Sequence, residues 1–292
     1  SIPRDTYTTI PGMPDNKINA AYGLTRKRTE DELRAKGGAS DAEIERAADR
    51  AGRRALVRSV QNLTGLRVDH YAEVNLYGFY LLTQAIGGVP VCLNHPTRDK
   101  DSGANFPAGR QTISGTDALA FVRQRENLPH GDLDRIVRQQ VFLASAARKV
   151  LSTGPLTDPK KLSGLVNTVE KSLTVDNRLN ILSFVQQAQN LVSNDVKFVT
   201  IPVTSLNGRS PSGQSIVTVD RTQVREFVRS IVRKSPRHST GSEGPSSGFG
   251  SGAPKQDAPS GGTVPAAVHA DTPAAGDVPT PPVTVDGTRC VN

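Results

Sequence analysis

The 292-residue sequence predicts a layered α/β domain over residues 1–235, followed by a disordered tail. Two observations carry this. Helical and strand-like hydrophobic periods alternate as far as residue 235. From 236 to 287 Pro, Gly, Ser, Ala and Thr dominate, with nine of the 20 prolines and nine of the 26 glycines. Such a segment buries too little apolar surface to offset its ordering entropy, so it reads as an extended linker. A third observation bears on function. Residues 1–235 hold 33 Lys and Arg against 23 Asp and Glu, a net of +10 within a chain of +8. A body this basic points to an anionic partner.

The elements follow in order. Ser40 and Glu43 make a capping-box pattern, Ile44, Ala48, Leu56, Val60 and Leu63 recur at helical spacing, and Gly65 suits the stop. Alternation from Val68 to Leu76 predicts a strand and makes His70 a core or half-buried histidine. Residues 78–86 read as a helix ended by Gly87-Gly88, and 89–93 as a strand put at a sheet edge by Pro90. Two helices are expected at 115–125 and 132–152, separated by the turn 127–131. A helix over 181–192, strands at 197–203 and 216–219, and a last helix beginning at Asp220 complete the body. The mixture of strand contexts speaks against a plain βαβ repeat.

Several function classes are excluded. No stretch reaches the ~18–20 apolar residues of a membrane helix. Two cysteines, Cys92 and Cys290, make neither a disulfide-dense scaffold nor a four-cysteine zinc site. Eight Phe, five Tyr and no Trp are few for a base-stacking platform. No Walker-type phosphate loop and no Ser/His/Asp or Cys/His spacing is present. Cys92, in a strand, reads as a small buried hydrophobe.

The informative segment is 120–140. In the 132–152 helix, Ile136, Gln140, Leu143, Ala147 and Val150 mark one stripe, while Arg135, Arg138, Gln139 and Phe142 follow i, i+3, i+4, i+7 on another. Arginines in the first turns oppose the helix dipole and repel each other. Their presence there is explained by an anion, because a phosphate would meet free backbone N–H groups and forked guanidinium donors. Asp132 or Asp134 can cap the helix. Arg123 and Arg125 end the preceding helix, where cations are favourable in any case. Arg4-Asp5 and His130 fit either an active-site loop or ordinary surface.

These residues resemble the LytR-CpsA-Psr family. The likeness rests on Ser1-Ile2-Pro3-Arg4-Asp5-Thr6, on Asn16-Lys17-Ile18-Asn19-Ala20-Ala21-Tyr22, on Val68-Asp69-His70-Tyr71, and on Gly87-Gly88-Val89. It continues through Pro107-Ala108-Gly109 with Gly115, Ala118 to Arg125, and Arg135-Ile136-Val137-Arg138-Gln139-Gln140. The resemblance implies a mixed sheet flanked by helices and an extracytoplasmic, membrane-anchored phosphotransferase. Such an enzyme moves a glycopolymer, arabinogalactan being one candidate, from a polyprenyl-pyrophosphate carrier to peptidoglycan, with Mg²⁺. Matched motif by motif, Arg4, Arg123, Arg125, Arg135, Arg138 and Gln139 bind the pyrophosphate. Arg135, Arg138 and Asp132 carry catalysis, with Asp5, Lys17 and Asn19 in support. The base is Asp5, Asp132 or an upstream aspartate. The family's first strands and metal-associated acids precede the Ser1–Thr6 motif, so no metal ligand is assigned within 1–292, and the piece 1–292 is expected to be inactive and poorly stable. Residues 288–292 read as the start of an accessory domain, and in an exported protein Cys92 could pair with Cys290 across the linker. Two other readings remain: a polyprenyl-pyrophosphate pyrophosphatase, and a basic regulator binding nucleic acid or anionic polymer. The exported-type linker and the lack of a helix-turn-helix signature speak against DNA.

Overall fold

The computed structural model describes residues 1–129, 132–152, 171–180, 197–234, 282–284 and 289–292, with isolated positions between 164 and 183. The expected helix at 181–192, and most of the expected linker, lie outside the described residues.

A short hairpin, β1 (Tyr7–Thr8) with β2 (Asn16–Lys17), leads into a pair of helices, α1 (Ala20–Lys36) and α2 (Asp41–Thr64). The Ser40–Glu43 capping box is formed, with the Ser40 N–H donating to Glu43 Oε2 at 2.9 Å. Nothing in the hydrophobic pattern announces α1, and the reason is physical. It buries only Ala21 and Thr25. Ion pairs one turn apart line its surface: Arg26–Glu30 at 3.3 Å, Lys27–Asp31 at 2.6 Å and Arg34–Glu30 at 3.3 Å. Asp49 of α2 then receives Arg26 and the Tyr22 hydroxyl, both at 2.8 Å. At Gly52 the helices touch so closely that a Cβ would stand 2.8 Å from the Tyr22 carbonyl oxygen.

The middle of the chain forms the main core. β3 (Ala72–Val74) pairs with β8 (Leu173–Val175), and α3 (Leu76–Ala85) follows β3. His70 is not a core residue; its half-exposed ring stands 3.1 Å from Asp176. β4 (Val89–Leu93) pairs antiparallel with β7 (Gly109–Ile113), and between them β5 (Thr97–Asp99) and β6 (Ala104–Phe106) form a hairpin. Gly115 opens α4 (Gly115–Arg123) at φ 53°, where a Cβ would meet the Tyr80 ring at 2.8 Å. α5 (Asp132–Ser152) packs on β4 and α4, burying Val137, Val141 and Phe142 against Val89, Val91 and Phe121.

The rest of the body is β9 (Lys197–Phe198), the hairpin β10 (Ser205–Arg209) with β11 (Ser215–Thr218), and α6 (Arg221–Lys234). Asp220 caps α6 by accepting from the Thr222 and Gln223 N–H groups at 2.7 and 2.9 Å. Val224 and Val228 of α6 join Ile18, Leu63 and Ile201 in a second core.

Two late segments depart from the expected pattern. Composition predicts a linker through 287, yet β12 (Val283–Thr284) pairs with β9 and buries Val283. β13 (Cys290–Val291) lies parallel to β4, and Cys290 is disulfide-bonded to Cys92. The order β13-β4-β7 is mixed, and it places β4 in the middle rather than at an edge. Pro90 remains compatible because β13 pairs only with Cys92 and Leu93, so no donor is asked of the proline on that side. Cys92 is therefore a cross-link and not merely a small apolar residue. Both segments dock because valines enter the main core, which offsets the cost of ordering short pieces of a polar tail.

The cross-link spans 198 residues. Its reduction is expected to destabilise the fold by ~2–5 kcal/mol. Non-reducing peptide mapping should recover Cys92 and Cys290 in one species, and dithiothreitol should lower the unfolding midpoint. Two free thiols in the untreated protein would contradict this.

Candidate functional site

Three segments build the site. The first is the end of α4. Helix geometry stops at Arg123, and Gln124 adopts φ −52° and ψ 136°. In extended backbone successive side chains alternate, so Gln124 turns inward while Arg123 and Arg125 turn outward. Gln124 is fully buried. Its Nε2 donates to Thr97 Oγ1 and to the Glu126 carbonyl at 3.0 Å, and its Oε1 accepts from Arg138 Nη1 at 2.7 Å. One buried carboxamide thus sets the direction of two arginines.

The second segment is the turn after β5. Asp99 is 2% exposed, and four backbone N–H groups satisfy its carboxylate. Oδ1 accepts from Asp101 at 2.8 Å and Ser102 at 3.2 Å; Oδ2 accepts from Arg125 at 2.9 Å and Glu126 at 3.3 Å. Burial alone would push this carboxyl up. The N–H groups of Arg125, Ser102 and Glu126, with the Ser102 hydroxyl, outweigh burial and bring it down to about 2. Asp99 is the residue that sequence reasoning missed. Its signal was an aspartate closing a short strand, with donors two and three residues on, as in an Asx turn.

The third segment is the start of α5. Here the expected face divides. At about 100° per residue, Arg138 and Gln139 fall on opposite flanks of Arg135. Gln139 is exposed and donates to the Val122 carbonyl at 3.1 Å. Arg138 is fully buried: Nε donates to the Asn292 carbonyl, and the guanidinium carbon lies 5.0 Å from the Phe121 ring centroid. Desolvation lowers its pKa to about 10, opposed by Asp134 and Asp99, and it stays charged at neutral pH. The expected stripes are rotated accordingly. Phe142, assigned to the arginine face, is 2% exposed, and Leu143, assigned to the core, is 51% exposed. A buried arginine is invisible to a rule that sorts residues by polarity.

Arg4, Arg123, Arg125, Arg135 and Gln139 line one cleft of about 560 Å³, and Asp99, Asp101 and Ser102 form part of its wall. Arg138 does not line it. Asp5 stands beside the cleft residue Arg4 at 3.7 Å, meets Lys17 at 3.5 Å and accepts from Asn19 Nδ2 at 3.2 Å. Two of the supporting residues, Lys17 and Asn19, therefore converge on the carboxylate of the third, Asp5. His130 and the Asp132 side chain lie outside the described residues.

A model of the LytR_cpsA_psr family matches residues 1–232. The chain belongs to that family. The cell wall biosynthesis protein LcpA of Corynebacterium glutamicum is 51% identical over 232 residues, 80% of this chain and 45% of LcpA. The polyisoprenyl-teichoic acid–peptidoglycan teichoic acid transferase TagU of Oceanobacillus iheyensis is 30% identical over 194 residues, 66% of this chain and 54% of TagU. The chain spans about half the length of these curated relatives. The crystal structure of B. subtilis TagV superposes with a TM-score of 0.58 at 22% identity, covering 81% of this chain and 83% of TagV. The mixed α/β architecture is therefore that of this LytR-CpsA-Psr (LCP) family. Among the described residues no helix is long and apolar enough to cross a membrane.

The Mg²⁺ implied by the resemblance needs hard oxygen ligands with free lone pairs. The acids at this cleft supply few of them. Both Asp99 oxygens are taken by backbone donors, Asp5 Oδ1 is shared among Arg4, Lys17 and Asn19, and Asp101 adds a single exposed carboxylate. Among the described residues no group of three His, Cys, Asp or Glu could hold a metal. The chemistry below is therefore confined to the chain's own side chains.

Replacing Asp99 by Asn puts amide hydrogens against backbone N–H groups, and should cost ~1–3 kcal/mol in urea unfolding. The folded carboxyl titrates below its ordinary value. Its contribution is thus complete above about pH 4 and fades as pH falls toward 2. Wild type should lose stability across that window more steeply than Asp99→Asn; parallel curves would contradict the assignment.

Proposed function

We propose that this chain carries the phosphate-handling centre of a transferase that moves a glycopolymer from a polyprenyl-pyrophosphate carrier to peptidoglycan. One observation carries the reading: Arg4, Arg123, Arg125 and Arg135, from three separate segments, share a single cleft. Like charges gathered this way repel unless an anion sits among them. A diphosphate offers the matching charge, and guanidinium groups meet its oxygens with paired donors. Family membership and the relatives' names, cell wall biosynthesis and teichoic acid transfer to peptidoglycan, support the same substrate class. The Cys92–Cys290 bond suits an oxidising compartment outside the cytoplasm.

Phosphoryl transfer asks for position and charge neutralisation more than for covalent chemistry. A glycan hydroxyl of peptidoglycan attacks the phosphorus bonded to the polymer's first sugar, and polyprenyl phosphate departs. Arg135, held at the start of α5, and Arg125, whose backbone is tied to Asp99, face the phosphates from two sides. Arg123 and Arg4 complete the ring, and Gln139 adds a neutral donor. The charge that develops on the departing phosphate is met by groups already in place, with little reorganisation. Arg138 acts from behind the cleft, securing Gln124 and so the orientation of Arg123 and Arg125.

Arg135→Ala is expected to lower kcat by on the order of 10²–10³ with its unfolding midpoint little changed. Arg138→Ala should lose ~1–3 kcal/mol of stability together with activity. The assay joins a polyprenyl-diphosphate-linked glycan to peptidoglycan. Product analysis separates polymer joined to glycan from free sugar phosphate, which would mark a pyrophosphatase. Normal transfer by Arg135→Ala would remove the cleft from the reaction.

A further inference from the structure

A second basic feature lies away from the cleft. Arg46, Arg50, Arg54 and Arg58 succeed one another at intervals of four along α2, and all are exposed. One helical turn separates each from the next, so the row repeats about every 6 Å. Like charges at this spacing work against a helix. Other arginines of the same helix pair are neutralised: Arg26 by Asp49, Arg34 by Asp41, and Arg53 by Glu73 at 2.8 Å. Arg50, Arg54 and Arg58 have no acid within ion-pair distance and no side-chain hydrogen bond among the described residues. They line a groove of about 740 Å³ whose other walls include Tyr71, Gln61 and Ala55. The Tyr71 backbone is fixed at both ends by Asp176, its N–H donating to Oδ2 at 3.1 Å and its carbonyl accepting from the Asp176 N–H at 3.3 Å.

We propose that this α2 groove is the docking site for the acceptor: a peptidoglycan strand whose peptide carboxylates pair with Arg50, Arg54 and Arg58. The inference takes the identity of the acceptor from the function proposed above, while the groove and its charge stand without it. Three features select the occupant. Three unpartnered cations in a row suit a ligand bearing repeated anions along its length, not a single ion. An aromatic ring and a carboxamide beside them suit sugar, whose apolar face stacks on tyrosine while its hydroxyls take the Gln61 amide. The concave, linear shape suits a strand rather than the flat surface of a bilayer. Nucleic acid fits the charge, but the disulfide suits an oxidising compartment, where nucleic acid is not the expected partner.

The test is binding of the 292-residue chain to purified sacculi stripped of attached wall polymer. Wild type should bind in a salt-dependent manner, and amidation of the sacculus carboxylates should weaken binding at least tenfold. The triple variant Arg50→Gln/Arg54→Gln/Arg58→Gln should lose a similar factor. The triple lysine variant should keep most of the affinity, which controls for folding together with the circular dichroism spectrum and unfolding midpoint. Arg135→Ala should bind sacculi as wild type does, so a failure of the cleft reading and a failure of this one are read separately. Undiminished binding by the folded triple glutamine variant would overturn the proposal, as would indifference to amidation. So would a variant that loses affinity for phosphodiester polymer, anionic vesicles or DNA while keeping it for sacculi.

Discussion

The arrangement around the cleft depends on one buried polar contact, the Gln124 carboxamide against the Arg138 guanidinium. Arg138 is a charge inside the main core, and such a charge is costly unless it finds acceptors. Gln124 provides one, the Asn292 carbonyl another, and the Phe121 ring a polarisable face. The same carboxamide also reaches Thr97 and the Glu126 carbonyl. It therefore joins α5, the β5 strand and the loop leaving α4 at one point. With Gln124 drawn inward, its two neighbours have nowhere to go but outward.

Asp99 complements this arrangement. An acid at the edge of a cationic cleft would ordinarily compete with the ligand for the arginines. Here its oxygens are spent on backbone donors, so it shapes the Arg125 loop without capturing the Arg125 side chain. The Arg125 guanidinium remains for an incoming anion, and the negative charge of Asp99 limits repulsion among the arginines. Positioning and availability are thus handled by different residues.

Much of the fold was legible because burial imposes a period. The capping box and apolar spacing of α2, the boundary between α4 and α5, and the Asp220 cap of α6 all follow from local rules. α1 escaped because charge pairs, not apolar contacts, hold it. The β5–β6 hairpin escaped because strands of three residues are too short to show alternation. At the site, sequence reasoning named Arg4, Arg123, Arg125, Arg135 and Gln139 together as anion-binding residues, and all five line one cleft. It misplaced Arg138, since nothing in a linear pattern distinguishes a guanidinium that faces a ligand from one that faces a phenylalanine and a glutamine. The cross-link between Cys92 and Cys290 was legible only as one option, because spacing along a chain does not say which distant segments meet.

The charge-held outer helix has a consequence for where the protein is robust. Besides the close Gly52–Tyr22 contact, α1 is attached to α2 through exposed or half-exposed ion pairs from Arg26 to Asp49 and Glu45 and from Arg34 to Asp41, whose strength is set by the surrounding electrolyte, since a mobile ion atmosphere of ~8 Å at 0.15 M screens them. The two apolar cores have no such sensitivity. Brine should therefore loosen the periphery by fraying this one rod away from its partner, while the arginine cleft keeps its shape: a molecule with a salt-tunable rim around a salt-indifferent centre.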